Sequence, residues 1–308
     1  MTHATHTPTK GSHAGRILII ATHAFTQLVR MKVFYFMAVF AVIAIASNFF
    51  NLPQHQGPES VGASVLIQIK GWSFGTMHVF SVVLSIVATA LLLPKDVEDR
   101  TLYTILAKPV PRIDYLAGKL LGVLMLIFVS LLMMDMLMTA VLHIRTSMVV
   151  AEQMEMAKDL GWPQQEIDSL RNETLAAGST WSLQGAVLAV FLRASIMASL
   201  SLLVSTFSTS TLFTTIVSFM VYFIGHFQAD ARDVYLQGGQ AGESLLTRLG
   251  TLVFALVLPD FSSFNIVDQV IQGVTMPLAT IGWLALVALY YALFFTIASW
   301  FVFSDKEF

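Results

Sequence analysis

Six apolar stretches, each near the length that a helix needs to cross a lipid bilayer, constrain this chain of 308 residues more than any other feature. Crossing the hydrocarbon layer takes about 20 predominantly apolar residues in a helix, because every backbone polar group must be satisfied internally. A content of 56% hydrophobic and only 12% charged residues also departs from that of soluble proteins. We therefore predict an all-α polytopic membrane protein with six transmembrane helices, over residues 33–50, 72–93, 120–142, 183–205, 211–227 and 278–303.

The segments outside these spans have predicted roles of their own. Residues 1–14 are polar and predict a disordered N-terminal tail, which precedes a single transmembrane domain over 15–308. Residues 15–32 mix apolar with basic side chains, which predicts an interfacial elbow helix; an extension of the first span is the alternative. The outer loops 144–181 and 228–276 are predicted to be helical. The first is too charged to cross, and the second contains an apolar run of about ten residues, which is too short to span and predicts a re-entrant or interfacial helix.

The positions of the basic residues predict the orientation. If the N-terminus is cytoplasmic, ten of the seventeen Lys and Arg residues lie on the cytoplasmic side, six lie in the longer outer loops and one lies inside a span. Short cytoplasmic flanks are expected to be rich in Lys and Arg, so both termini are predicted to be cytoplasmic. The net charge of −2 gives no basic excess for nucleic acid, and the absence of cysteine excludes disulfides and thiolate chemistry.

A charged segment at residues 95–122 separates the second span from the third. Asp96 is a candidate N-cap, and Pro109 ends the helix that would follow it. This helix of about ten residues carries Leu102 and Leu106 on one face. A short amphipathic helix suits a groove on another protein, and an ordinary interfacial helix is equally compatible with these residues.

The same segment resembles a loop of a known family. The residues EDRTLYTILAKPVPR at 98–112, with YLAGK at 115–119 and Gly122, resemble the loop between the second and third spans of type-2 ABC transporter permeases. The closest branch is that of the multicopper-enzyme maturation permeases, which are similar to the permease of nitrous oxide reductase assembly. In the wider superfamily a glycine precedes the threonine, where this chain has Arg100. The six spans, the elbow and the long outer segment agree with the family over nearly the whole chain.

The resemblance implies the permease subunit of an ABC exporter in the bacterial cytoplasmic (inner) membrane. Such a subunit forms a homodimer or a heterodimer with a second permease, and two copies of a separate ABC ATPase bind to it. ATP and Mg²⁺ belong to that ATPase, so no cofactor is expected in this chain. The sequence contains no G-x-x-x-x-G-K-[ST] loop, and we predict that the chain is not an enzyme. The resemblance assigns ATPase coupling to Glu98, Asp99, Arg100, Thr101, Leu102, Tyr103, Ile105, Leu106, Lys108 and Arg112.

A rival hypothesis is a membrane scaffold without transport. In it, the same ATPase coupling drives a mechanical change in the outer loops, which an extracytoplasmic accessory protein reads. A secondary transporter fits less well, because only one acidic and one basic residue, Asp135 and Arg193, lie clearly within the predicted spans. These two are predicted to lie at similar depth in the third and fourth spans, as an ion pair or around a shared polar cavity. They either lock two helices together or line a pathway for an anionic or polar substrate.

Methionine and histidine in the spans raise the question of a metal site. Thioether and imidazole groups bind Cu(I), but methionine is also a flexible apolar filler between helices. Without cysteine or a repeated methionine motif we predict no metal site, and we predict that His78 and His226 are hydrogen-bonded interior histidines rather than proton carriers. The methionines of the third span are Met125, Met133, Met134, Met136 and Met138.

Overall fold

The computed structural model describes residues 12–47, 58–98, 110–208, 210–237 and 258–305, and these ranges contain helices and no β-strand. A 3₁₀ turn at Ser262–Phe264 precedes the eighth helix. The helices are α1 (His13–Val29), α2 (Lys32–Ala46), α3 (Pro58–Glu98), α4 (Arg112–Asp159), α5 (Gln164–Ala176), α6 (Trp181–Phe207), α7 (Thr211–Gln237), α8 (Val267–Ile271) and α9 (Leu278–Ser304).

Five of the six predicted spans lie within one of these helices, namely α3, α4, α6, α7 and α9, and the first span overlaps α2, which ends at Ala46. The apolar helices within the first and fifth predicted spans, Met37–Ala46 and Thr211–His226, are shorter, so the number six stays a prediction. The chain is a multi-pass helical membrane protein. Four stretches of the described residues are long and apolar enough to cross a bilayer: Ser64–Leu92, Arg112–Asp159, Gln164–Phe207 and Leu278–Ser304.

Helix α4 is much longer than a bilayer requires. Its 48 residues correspond to about 72 Å at 1.5 Å per residue, against a hydrocarbon layer of about 30 Å. The chain reverses at Gly161, whose φ of 72° suits glycine, and α5 then packs back along α4. The Thr174 hydroxyl donates a buried hydrogen bond of 2.7 Å to the Gln153 side-chain oxygen. The first part of the predicted outer loop 144–181 is thus the end of α4, and a second helix begins at Gln164, directly after Pro163.

Helix α1 is separate from α2 and packs across the start of α4. The break lies at Arg30 and Met31, so the predicted separate N-terminal helix exists, while its place at a membrane interface stays a prediction. On α4, a Cβ added at Gly122 would lie 2.7 Å from both the Ala21 carbonyl oxygen and the Ala24 Cβ. Small residues allow such close helix contact in lipid, where apolar burial itself gives little attraction between helices.

The core lies between α3, α4 and α6. One apolar cluster joins these three helices to α1, and a second joins α3 and α6 to α7, α9 and the turn at Ser262–Phe264. Met134 and Met138 are buried in the first cluster, whereas Met125, Met133 and Met136 are exposed. Two methionines of the predicted third span therefore serve as apolar filling, and three point away from the core.

Candidate functional site

The loop between α3 and α4 is the first candidate site. Helix α3 ends at Glu98, α4 begins at Arg112, and the predicted coupling helix between them falls outside the residues that the structure describes. Eight of the ten predicted coupling residues also lie outside the described residues: Asp99, Arg100, Thr101, Leu102, Tyr103, Ile105, Leu106 and Lys108.

The Asp96 carboxylate connects the end of α3 to α4. Lys119 Nζ lies 2.6 Å from Asp96 Oδ2, and both side chains are almost completely buried. The Tyr115 hydroxyl donates a second hydrogen bond to the same oxygen. The expectation that Asp96 is an N-cap is wrong, because α3 continues through Pro94 to Glu98 and leaves Asp96 inside its last turn. A buried carboxylate requires a charge partner, which Lys119 provides.

Arg112 connects the start of α4 to the end of α9. Its Nη1 donates hydrogen bonds to the carbonyl oxygens of Phe303 at 2.8 Å and Ser304 at 2.6 Å. The last carbonyls of a helix lack intrahelical partners and carry partial negative charge, so a cation stabilises them. The Tyr115 ring also stacks on the Phe303 ring with 6.0 Å between centroids. Of the predicted coupling residues, Arg112 is therefore placed as a link between two helices.

Asp114 connects the first turn of α4 to α1. Arg16 Nε donates to Asp114 Oδ2 at 2.9 Å, and His13 Nδ1 lies 3.1 Å from Asp114 Oδ1. The carboxylate is buried and also lies at the positive end of the α4 dipole. Close packing at Gly118 continues this contact, since a Cβ there would lie 2.7 Å from Ile20 Cβ.

Together these contacts join the end of α3 to the start of α4, and the start of α4 to α1 and α9. We call the five α3 and α4 residues that make them the collar. The collar residues are Asp96, Arg112, Asp114, Tyr115 and Lys119.

A second candidate site surrounds Arg193 on α6. This residue is only 5% exposed. Its Nη1 lies 3.0 Å and 3.1 Å from the two ring nitrogens of His78 on α3, and its Nη2 donates to the Phe261 carbonyl oxygen at 2.6 Å. His78 Nε2 lies 2.6 Å from the Tyr222 hydroxyl on α7. The prediction that His78 is a hydrogen-bonded interior histidine is thereby confirmed.

His226 and Phe261 complete this arginine cluster of Arg193, His78, Tyr222, His226 and Phe261. The His226 ring packs against Tyr222, 4.9 Å between centroids, and against Phe261, 6.2 Å between centroids. Its Nδ1 is buried. The sequence gives little signal for the cluster, because its members lie on four separate segments and its hydrogen bonds join residues 68 to 144 positions apart.

The structure does not bring Asp135 and Arg193 together as an ion pair. Asp135 Oδ1 instead accepts a hydrogen bond of 3.2 Å from Gln184 Nε2. Gln184 precedes Arg193 by nine residues on α6, which is about 13 Å along the axis. The expectation of similar depth assumed that the third span ends near residue 142, whereas α4 continues to Asp159.

Within the described ranges, no group of three or more His, Cys, Asp or Glu side chains could hold a metal ion.

A model of the family described as ABC-2 family transporter protein matches residues 18–307. No curated protein matches the chain.

Proposed function

The chain belongs to the ABC-2 family of transporter proteins, and from that membership we propose that it is a permease subunit driven by ATP hydrolysis on a separate ABC ATPase. The ATPase docks on the loop at residues 99–109 and carries the ATP and Mg²⁺. Two permease chains form the membrane unit, as a homodimer or a heterodimer, and two ATPase copies bind it at the cytoplasmic face of the bacterial inner membrane. ATP hydrolysis by the ATPase drives the export of a substrate.

The observation that carries this proposal is the collar. A loop that only joins two helices needs no buried ionic contacts at its ends, since taking charges out of water has a large desolvation cost. Here Asp96 and Lys119 form such a contact, and Arg112 and Asp114 extend it to α9 and α1. This arrangement suits a loop that receives a force and must pass it to several helices at once.

Mechanical transmission without transport is a second candidate, and the length of α4 favours it. This single helix starts at the collar residue Arg112 and continues to Asp159, where α5 packs against it. A movement at the loop would reach the far end of α4 without crossing a hinge. An extracytoplasmic partner bound to α5 could then read that movement.

Copurification tests the coupling on which both candidates depend. The tagged chain is purified from the cells that naturally produce it, and the amount of ABC ATPase retained per chain is measured. Leu106→Asp, Arg100→Glu and Glu98→Arg should each reduce retention, because they place a wrong charge on the docking surface. Leu175→Asp is the matched control, since Leu175 is 47% exposed on α5.

The outcomes are distinct. Loss of the ATPase in the loop variants, with normal membrane insertion and full retention by the control, supports the coupling role. Full retention in all three loop variants would show that the ATPase docks elsewhere.

A further inference from the structure

The arginine cluster contains a buried positive charge without a counter-ion among the described residues. A guanidinium group is permanently charged, yet the partners of Arg193, namely the His78 ring, the Tyr222 side chain and the Phe261 carbonyl, carry no negative charge. Asp260 and Asp268 attract Arg193 through space, but neither forms a salt bridge with it. A cation in this position favours the approach of an anion.

The two nearby carboxylates already have other donors. Asp260 accepts hydrogen bonds from the hydroxyls of Ser262, at 2.6 Å, and Ser263, at 2.7 Å. Burial raises the pKa of Asp260, but these hydrogen bonds outweigh it and hold that pKa below its ordinary range. Asp268 accepts from the Asn265 side chain at 3.1 Å. Both acids are therefore bound within their own turn.

Arg193 also has an unused donor on a specific edge. Its buried Nε has no hydrogen-bond partner among the described residues, and Nη2 is bonded to the Phe261 carbonyl. Nε and Nη2 lie side by side, and this edge of a guanidinium binds two oxygens of one oxyanion. Buried polar groups are nearly always paired. An unpaired Nε beside a carbonyl-bound Nη2 therefore indicates that one of the two donors on this edge lacks an acceptor.

The segment at residues 258–264, which we call the cover, closes over this edge. The Phe261 side chain is fully buried. The backbone N–H of Phe261 donates a hydrogen bond to the Gly225 carbonyl oxygen at 3.3 Å. Gly225 permits the contact because a Cβ would lie 2.6 Å from the Phe261 ring and 2.8 Å from the Pro259 carbonyl oxygen. The cover thus supplies one neutral oxygen to a group that binds anionic oxygens better.

We propose that the arginine cluster is a binding site for a compact oxyanion, either a free phosphate or sulfate or the phosphate of an acidic lipid. The anion bonds to Nε and Nη2 of Arg193 and replaces the Phe261 carbonyl, so the cover moves away when it enters. Tyr222 and His226 lie around the same position and provide further polar contacts. The site does not depend on ATPase coupling, and its failure would leave the proposed function intact.

Thermal unfolding of the full chain in nanodiscs tests the site. One arm adds sodium phosphate or sulfate to nanodiscs of phosphatidylcholine, against chloride at equal ionic strength. The other arm uses nanodiscs that contain phosphatidylglycerol, with no phosphate added. A ligand that binds the folded state raises the unfolding midpoint in proportion to its occupancy, so the dissociation constant follows from a titration.

Two substitutions at Arg193 should weaken the binding. Arg193→Gln removes the charge, and Arg193→Lys keeps the charge but lacks the two-donor edge, so the dissociation constant should rise by roughly tenfold or more in each. Arg193→Lys remains informative if Arg193→Gln does not fold. Arg171→Gln and Arg171→Lys are the matched controls, because Arg171 is exposed on α5.

A midpoint that rises with phosphate and sulfate, and depends on Arg193, supports a site for free oxyanions. A rise only with phosphatidylglycerol, again dependent on Arg193, supports the same site with a lipid as its ligand. No rise in either arm, or an equal rise in wild type and both Arg193 variants, overturns the proposal and leaves the cluster as a tether between helices.

Discussion

Replacing Lys119 by methionine should destabilise the collar strongly. The substitution keeps the aliphatic part of the side chain and removes the ammonium group that lies 2.6 Å from Asp96. Asp96 would remain as a buried carboxylate with the Tyr115 hydroxyl as a neutral donor. Breaking a buried ion pair by removing one partner typically costs about 3–5 kcal/mol. We expect a loss near the lower figure, because the phenol still satisfies one carboxylate oxygen.

The double variant distinguishes the effect of losing the ion pair from the effect of losing side-chain packing. Asp96→Asn combined with Lys119→Met leaves no unpaired charge, so it should recover about 1–2 kcal/mol relative to Lys119→Met alone. The free energy of unfolding is measured by SDS titration in mixed micelles. Arg171→Met, at an exposed position on α5, is the control and should change it by about 0.5 kcal/mol or less. Equal losses in the single and double variants would refute the claim that Lys119 acts as a charge partner.

Three further predictions concern close contacts and one titratable group. Gly122→Ala should lose about 1–3 kcal/mol of unfolding free energy, because its Cβ would meet α1 at 2.7 Å, whereas Gly75→Ala faces open space and should not be destabilising. Gly225→Ala should expose the cover to proteolysis, since its Cβ would meet the Pro259 carbonyl oxygen at 2.8 Å, and Gly282→Ala should not. The lowered pKa of Asp260 gives stability that is present above the ordinary value of 3.8 and is lost as the pH falls through the folded value. The Asp260→Asn variant should therefore be less stable than the wild-type chain at neutral pH and should lose less stability on acidification. Thermal unfolding between pH 3 and 7 measures both differences.

The positions of the helices were predictable because they depend on a local property. Apolar runs of about 20 residues form helices in a bilayer whatever their neighbours are, and five of the six predicted spans lie within a helix of the structure while the first overlaps α2. The break between α1 and α2 was also visible, in the basic residues Arg30 and Lys32.

The continuity of α4 was missed because its charged end resembles a solvated loop. The buried residues Arg145, Val149, Gln153 and Ala157 nevertheless recur at every fourth position there, which is the spacing of one helix face. That signal was present in the sequence, and the acidic residues between these positions concealed it.

The sites depend on contacts between distant segments, which periodicity does not encode. The pairing of Asp96 with Lys119 was missed because an aspartate before a short helix was interpreted as a cap. The partners of Arg193 come from α3 and from the cover, 115 and 68 residues away. Comparing the depth of Asp135 on α4 with that of Arg193 on α6 could not identify these partners, because they lie on neither helix.

Hydrogen–deuterium exchange of the chain, with and without its ATPase, tests the central claim most directly. If energy enters at the loop, ATPase binding should protect backbone amides in peptides that cover residues 99–109. The same experiment with Leu106→Asp should show no protection of the loop. Protection at α5 or elsewhere, with residues 99–109 unaffected, would contradict the account.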